Sequence, residues 1–264
     1  MKKFPSTSLL TIFLLILLLG SQIGASAAPK NPGYYQLRVY HYSNSQQESL
    51  IENFLKNSFL PSLHAGKLSN IGVFKAIAND TATDKKLYVF IPFKSMKQWQ
   101  NFFQSNINKQ AESTGGEYID AAYNKPAYTR MENIFMKAFP LSPSPSAPKL
   151  SSVKSERVYE FRSYESASEK LHVNKVQMFN EGGEIDIFSR LGFNAIFYGQ
   201  VIFGARMPNL MYMTTFENME SRNEHWKAFG SDPAWKTLSA MKEYQHNVSK
   251  NETSFLRPTE YSDL

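Results

Sequence analysis

Apolar and polar residues alternate along residues 34–42, which predicts a β-strand with two different faces. Tyr35 and Leu37 belong to the apolar face, whereas Arg38 and Tyr40 belong to the opposite face. If the apolar face packs against helices, the arginine and the tyrosine point away from them, toward whatever covers the other side of the sheet.

The same reasoning along the chain predicts one order of elements twice: strand, helix, two strands, helix, strand. In the first half these elements are residues 34–42, 45–63, 71–78, 87–93, 95–107 and 128–138. In the second half they are residues 158–164, 169–188, 192–203, 210–216, 218–229 and 254–257, with a further helix starting at Pro233. This is the ferredoxin-like order.

Two pairs of segments match at a nearly constant offset, which indicates an internal duplication. Tyr35-Gln36-Leu37-Arg38-Val39-Tyr40 matches Tyr159-Glu160-Phe161-Arg162-Ser163-Tyr164, and residues 87–93 match residues 210–216. We therefore predict an α+β chain of two tandem ferredoxin-like modules, residues 31–139 and 151–264, packed through their sheets as an intrachain pseudo-dimer. Residues 140–150 contain four prolines among small residues and are predicted to be the linker.

Residues 1–27 are typical of a signal peptide. Lys2 and Lys3 precede an apolar run over residues 9–19, and Ala25-Ser26-Ala27 supplies the small residues of a cleavage site after Ala27. The run is shorter than the roughly 20 residues that span a bilayer, so we expect no stable membrane anchor after cleavage. An uncleaved anchor is the alternative. The signal peptide favours a periplasmic or secreted location, and a chain without cysteine fits a bacterial periplasm better than a disulfide-rich secreted scaffold.

Charge and composition narrow the function classes. The net charge is +6 and the basic residues are scattered, so nucleic acid is not an expected partner. The 14 Tyr and 20 Phe supply ample material for a large core. No cofactor is expected. The five histidines show neither His-x-x-x-His nor Glu-x-x-His spacing, so no metal site is expected either.

Arg38 and Arg162 occupy matching positions, each two residues before a tyrosine, Tyr40 or Tyr164. A buried guanidinium without a partner is costly, so each arginine requires a carboxylate or a bound anion. One interpretation is a pair of anion anchors flanked by the tyrosines. The other is a structural clamp in which Glu160, Glu181 or Glu184 neutralises the arginine.

Glu181 and Glu184 flank Gly182 and Gly183, which are predicted to break or loosen the otherwise periodic helix over residues 169–188. Each glycine costs roughly 1 kcal/mol relative to Ala, which suggests close approach of a ligand or of another backbone. On one helical face, the two carboxylates would be available for general-base chemistry. His64 lies at the corresponding end of the first predicted helix and is a further candidate for binding.

Several segments of the second half resemble the NIPSNAP family of the dimeric α+β barrel superfamily. They are Tyr159-Glu160-Phe161-Arg162-Ser163-Tyr164, Asn209-Leu210-Met211-Tyr212-Met213, Arg222 and Asp232-Pro233-Ala234-Trp235. The first half keeps Leu37-Arg38-Val39-Tyr40 but has no counterpart of the Asp-Pro-x-Trp turn. The resemblance implies a barrel-like sandwich of two ferredoxin-like modules and no settled reaction, because its superfamily includes cofactor-free monooxygenases, haem-degrading enzymes and isomerases.

Two functional hypotheses remain open. In the first, a small anionic or aromatic molecule binds between the two sheets, and the protein acts as a binding protein or as a cofactor-free oxygenase or isomerase. Glu184 is then the candidate general base, and the ligand contacts are Arg38, Tyr40, His64, Arg162, Tyr164, Glu181 and Tyr212. In the second, the chain is a non-catalytic protein-interaction or assembly module. Either form is compatible with a homo-oligomer.

Overall fold

Eight antiparallel strands close into one barrel in the computed structural model, which describes residues 31–264. The strands are β1 (Tyr34–Tyr42), β2 (Gly72–Ala76), β3 (Lys85–Phe93), β4 (Arg130–Ala138), β5 (Val158–Glu165), β6 (Asn194–Phe203), β7 (Asn209–Phe216) and β8 (Lys250–Pro258). Their order around the barrel is β1-β3-β2-β8-β5-β7-β6-β4. The predicted signal peptide, residues 1–27, lies outside the described residues.

Eight α-helices belong to the described part of the chain. They are α1 (Ser45–Phe54), α2 (Leu60–Ala65), α3 (Met96–Phe103), α4 (Asn106–Ser113), α5 (Glu169–Phe179), α6 (Glu184–Arg190), α7 (Met219–Ser231) and α8 (Pro233–Ala240). None of these helices is both long and apolar enough to cross a bilayer. The α+β class and the alternation of helices with strands follow the sequence prediction.

The barrel closes through two joints between the halves of the chain. β2 pairs with β8, and β4 pairs with β6, both in antiparallel register. We expected two sheets packed face to face, whereas the structure joins them by backbone hydrogen bonds at both edges. Closure satisfies the backbone groups that open edge strands would leave unpaired.

The barrel interior is filled by the apolar face of the strands. Tyr35 and Leu37 of β1 and Tyr159 and Phe161 of β5 belong to one buried interior cluster. The prediction that this face packs on helices, with the arginines between the sheets, is therefore wrong. A period of two separates the two faces of a strand but does not say which one is enclosed. Closing the barrel encloses the more uniformly apolar face.

Aromatic rings leave almost no free volume inside the barrel. Phe90 and Phe197 stack with ring centroids 4.6 Å apart, and Phe74 lies 4.8 Å from Tyr159. A cavity of about 40 Å³ remains toward one mouth, beside His41. A volume of this size holds a few water molecules, because each needs roughly 10–15 Å³. This cavity is too small for the ligand that we predicted between the sheets.

A π-helical segment, residues Leu55–Phe59, separates α1 from α2. Pro61 therefore lies in the first turn of α2, where its missing N–H costs little. The wider turn buries both Leu55 and Phe59 against the outer face of the sheet. The ring of Phe59 is thereby positioned next to β1.

The predicted long helix of the second half is broken at its two glycines. α5 ends at Phe179 and α6 begins at Glu184. Gly183 adopts φ +85°, a left-handed conformation that favours glycine. At Gly182 an added Cβ would lie 2.6 Å from the carbonyl oxygen of Met178, so close backbone approach explains this glycine.

Candidate functional site

The second half holds a buried carboxylate that pairs with two arginines and accepts a further hydrogen bond from a tryptophan. Glu160 of β5 is fully buried, and its carboxylate accepts hydrogen bonds from Nε of Arg162 (2.7 Å), Nε of Arg222 (2.8 Å) and Nε1 of Trp226 (2.6 Å). Burial alone would raise the pKa of Glu160, but the hydrogen bonds from Arg222 and Arg162 outweigh it and lower the pKa below its ordinary value. Glu160 is therefore ionised and paired.

Each nitrogen of the Arg162 guanidinium has a polar partner. Its guanidinium carbon lies 4.1 Å from the ring centroid of Trp226, a cation–π contact, and its Nη1 donates to the hydroxyl of Tyr164 (3.2 Å). The hydroxyls of Tyr164 and Tyr212 are 2.9 Å apart. Burial raises the pKa of Tyr212 well above its ordinary value. These groups form a closed network on the outer face of the sheet.

A second buried ion pair adjoins this network. Nζ of Lys175 lies 2.8 Å from Oε2 of Glu184, and both side chains are buried. Nζ also lies 4.7 Å from the ring centroid of Phe179. Glu181, in contrast, is exposed. The two glutamates do not share a helical face, because the turn at Gly183 separates them, and the general-base role of Glu184 stays a prediction.

The first half repeats part of the Arg162 network. Nη1 of Arg38 donates to the hydroxyl of Tyr40 (3.2 Å), which also accepts from the hydroxyl of Tyr118 (3.0 Å). The guanidinium carbon of Arg38 lies 4.8 Å from the ring centroid of Phe59. An arginine, a tyrosine on the same strand and a second tyrosine thus recur in both halves.

Gln36 occupies the position on β1 that Glu160 occupies on β5. Its Oε1 accepts from Nε1 of Trp99 (2.9 Å), and its Nε2 donates to Oδ1 of Asn133 (2.7 Å). Nε of Arg38 donates to the same Oδ1 (3.3 Å). Within residues 31–264, Arg38 forms no ion pair with a carboxylate.

Arg38 nevertheless carries its charge. Burial lowers its pKa, but the neighbouring hydroxyls of Tyr40, Tyr118 and Tyr128 together outweigh burial and raise the pKa above its ordinary value. The first half therefore holds a partly buried positive charge with neutral hydrogen-bond partners, which is unfavourable unless an anion binds.

An open cleft of about 270 Å³ adjoins this charge. We call it the Arg38 cleft; it is lined by Gln36, Arg38, Trp99, Phe103, Asn133, Ile134, Phe135 and Phe203. Phe135 and Phe203 stack with centroids 5.0 Å apart, and Phe203 is 48% exposed. The cleft thus combines one guanidinium with accessible aromatic faces.

The structure distributes the predicted site residues over separate places. Arg38 and Tyr40 lie at the Arg38 cleft. Arg162, Tyr164 and Tyr212 form the closed network of the second half. His64 pairs with Asp263 (Nε2–Oδ1 3.0 Å) and belongs to neither group. No single site unites these residues, because both arginines lie outside the barrel and beneath different helices.

Sequence reasoning missed the residues that complete the cleft. Asn133 and Phe203 reach it through strand pairing, since Arg38 faces Asn133 and Phe135 faces Phe203 in the register. Such long-range pairs leave no local signal. Gln36 did have one: in the matched segments it replaces the acid of Glu160, which already indicates that Arg38 lacks its internal partner.

A family model matches much of the second half of the chain. The NIPSNAP family model matches residues 159–263, which include β5 to β8. Among curated proteins, none matches the chain.

Three solved structures share the fold. A protein from Lactobacillus acidophilus NCFM, provisionally named a monooxygenase, has a TM-score of 0.57 and 12% identity, covering 86% of this chain and 94% of that one. One from Fusobacterium nucleatum, with the same provisional name, has a TM-score of 0.53 and 7% identity over 86% and 93%. An anthrone oxidase-like protein has a TM-score of 0.51 and 9% identity over 88% and 93%.

Proposed function

Starting from a chain whose residues 159–263 carry a NIPSNAP domain, we propose that the protein binds a small anionic molecule with an aromatic ring in the Arg38 cleft. One observation carries this proposal. Arg38 has no carboxylate partner among the described residues, whereas Arg162, at the matching place, is neutralised by Glu160.

The chemistry of the cleft suits such a ligand. An anion would compensate the charge of Arg38 and form charge-assisted hydrogen bonds with its guanidinium. An aromatic ring would pack against Trp99, Phe135 or Phe203, contacts worth roughly 0.5–1.5 kcal/mol per ring pair. The volume of about 270 Å³ suits a single-ring molecule, whereas the interior cavity of about 40 Å³ does not.

Binding, rather than acid–base catalysis, is the function that the cleft supports. The solved structures named as monooxygenases and as anthrone oxidase-like make oxidation of the bound aromatic a natural extension. The lining of the cleft, however, includes no carboxylate and no imidazole to act as a general base. Glu184 is not among the lining residues, because it is buried against Lys175 in the second half.

Isothermal titration of the purified protein with benzoate tests the proposal. We expect saturable binding with one site per chain, and at least tenfold weaker binding in Arg38→Gln. Arg38→Lys keeps the charge without the guanidinium fork and should lie between the two. Lys97→Gln removes an exposed cation of α3 that does not line the cleft and should bind like the unaltered protein.

Circular dichroism establishes that each variant is folded before titration. If Arg38→Gln is folded and binds benzoate as tightly as the unaltered protein, the cleft is not the site. If neither benzoate nor larger aromatic acids such as naphthoate bind, the proposed function is wrong.

We infer in addition that the barrel consists of two ferredoxin-like modules, residues 31–139 and 151–264, joined by residues 140–150. In support, both halves order their strands identically, as β2-β3-β1-β4 and as β6-β7-β5-β8. We also propose export with cleavage near Ala27. N-terminal sequencing of the protein recovered from its producing cells tests this, and an intact Lys2–Lys3 start would contradict it.

A further inference from the structure

From the hydrogen bonds around the Arg38 cleft we infer that the ligand's head group is a carboxylate, and that Gln36 and Asn133 select it by leaving only donors free. This inference rests on the proposed function and specifies its ligand. Its basis is the orientation of two side-chain amides, which the surrounding donors determine.

The chain of hydrogen bonds begins and ends at groups that only donate. Nε1 of Trp99 has no lone pair to offer, so Gln36 must present its oxygen to it. The amide nitrogen of Gln36 then faces Asn133, which must present its own oxygen. Nε of Arg38, also donor-only, requires that same oxygen. The donors on either side thus determine which way both amides face.

This arrangement directs both amide oxygens at protein donors and leaves nitrogens available. Within the described residues, neither Nη2 of Arg38 nor Nδ2 of Asn133 has a hydrogen-bond partner. Nη2 lies on the same edge of the guanidinium as Nε. In the second half this edge of Arg162 is occupied by the Glu160 carboxylate, which Nε and Nη2 both contact. The same edge of Arg38 gives its Nε to Oδ1 of Asn133 and keeps only Nη2 free, beside the free Nδ2 of Asn133, for a carboxylate that the chain itself does not supply.

The number of charges favours a carboxylate over a phosphate or phosphonate. Arg38 is the single charged residue that lines the cleft. A carboxylate balances one positive charge, and its two oxygens can accept from Nη2 of Arg38 and from Nδ2 of Asn133. A phosphoryl group carries about −1.5 to −2 at pH 7 and would leave negative charge uncompensated among apolar rings. An amide head group offers one neutral acceptor and does not balance the charge of Arg38, and an ammonium group would direct only donors at the free donors of the cleft.

Four probes with the same ring and different head groups test the inference: benzoate, phenylphosphonate, benzamide and benzylamine. We expect benzoate to bind at least tenfold more tightly than each of the other three. In Asn133→Asp the cleft gains an acceptor next to Arg38, so benzoate binding should fall at least tenfold while benzylamine binding increases. Asn133→Leu should weaken benzoate selectively, whereas a merely structural role would weaken all probes alike.

The outcomes separate this inference from the proposed function. If phenylphosphonate or benzamide binds as tightly as benzoate, and binding still depends on Arg38, the donor-only selection is wrong and the aromatic site stands. An unchanged preference in Asn133→Asp would overturn the selection in the same way. If none of the four probes binds, both the selection and the proposed function fall.

Discussion

Arg38 and Arg162 begin from the same strand position and end in opposite situations. Each donates through Nη1 to a tyrosine two residues later over the same 3.2 Å. Arg162 faces a carboxylate supplied by its own strand, whereas Arg38 faces an amide network and an open cleft. An arginine at this strand position therefore pairs within the protein when the residue two positions before it is glutamate. When that residue is glutamine, the arginine is available to bind an anion.

The two halves differ at two side chains that contact each other: the second half has a charged pair where the first half has two neutral groups. The acid Glu160 accepts from the cation Arg222, whereas the amide Gln36 accepts from the neutral indole of Trp99. Removing the acid without also removing the second cation would leave two unpaired positive charges. With Gln36 in place of the acid and Trp99 in place of the second cation, the first half has one uncompensated positive charge. A ligand with one negative charge can neutralise it.

The largest expected effect concerns stability. Arg162→Gln removes one partner of a buried carboxylate, and breaking such a pair costs about 3 kcal/mol or more. Arg38→Gln breaks hydrogen bonds between a guanidinium and neutral groups and should cost about 1 kcal/mol. Urea unfolding of both variants measures the two losses in the free energy of unfolding. Equal losses would remove the distinction between clamp and receptor.

The pH dependence of stability is the next test. Because the pKa of Glu160 is lowered in the folded protein, its contribution is fully present above the unfolded value of about 4.5 and is lost as the pH falls through the folded value. The difference in the free energy of unfolding between the unaltered protein and Glu160→Gln should be constant from pH 7 to about 5 and should shrink below it. Unfolding in urea at several pH values measures this difference.

Gln36→Leu is the matched control in the first half, because it removes a neutral side chain from the position that corresponds to Glu160. Its unfolding should show no acid-dependent difference from the unaltered protein over the same range. A pH-independent difference for Glu160→Gln would mean that the carboxylate is not held ionised by its arginines.

The smallest expected effect on stability comes from a substitution that makes the first half resemble the second. Gln36→Glu places a carboxylate beside Arg38 and recreates the pairing of the second half. We expect benzoate affinity to fall at least tenfold, with unfolding free energy changed by no more than about 1 kcal/mol. Titration and urea unfolding measure both quantities. Undiminished benzoate binding would show that the anion does not pair with Arg38.

The sequence predicted the elements and the special status of the two arginines, but not where they point. Alternation along β1 distinguishes Leu37 from Arg38, yet it is equally compatible with either face being enclosed. The helix break after Phe179 was foreseen because glycine signals are local. Asn133 and Phe203 were not, because their positions depend on the pairing of strands far apart in the chain.

Phe203 reaches the Arg38 cleft from β6, across the joint with β4. The aromatic ring of a bound ligand would contact both halves of the chain. Binding would therefore stabilise the pairing of β4 with β6 in addition to neutralising the charge of Arg38. Ligand affinity would then depend on the pairing of β4 with β6. A substitution that weakens this pairing at any position would lower the affinity, even though the ligand contacts only its end.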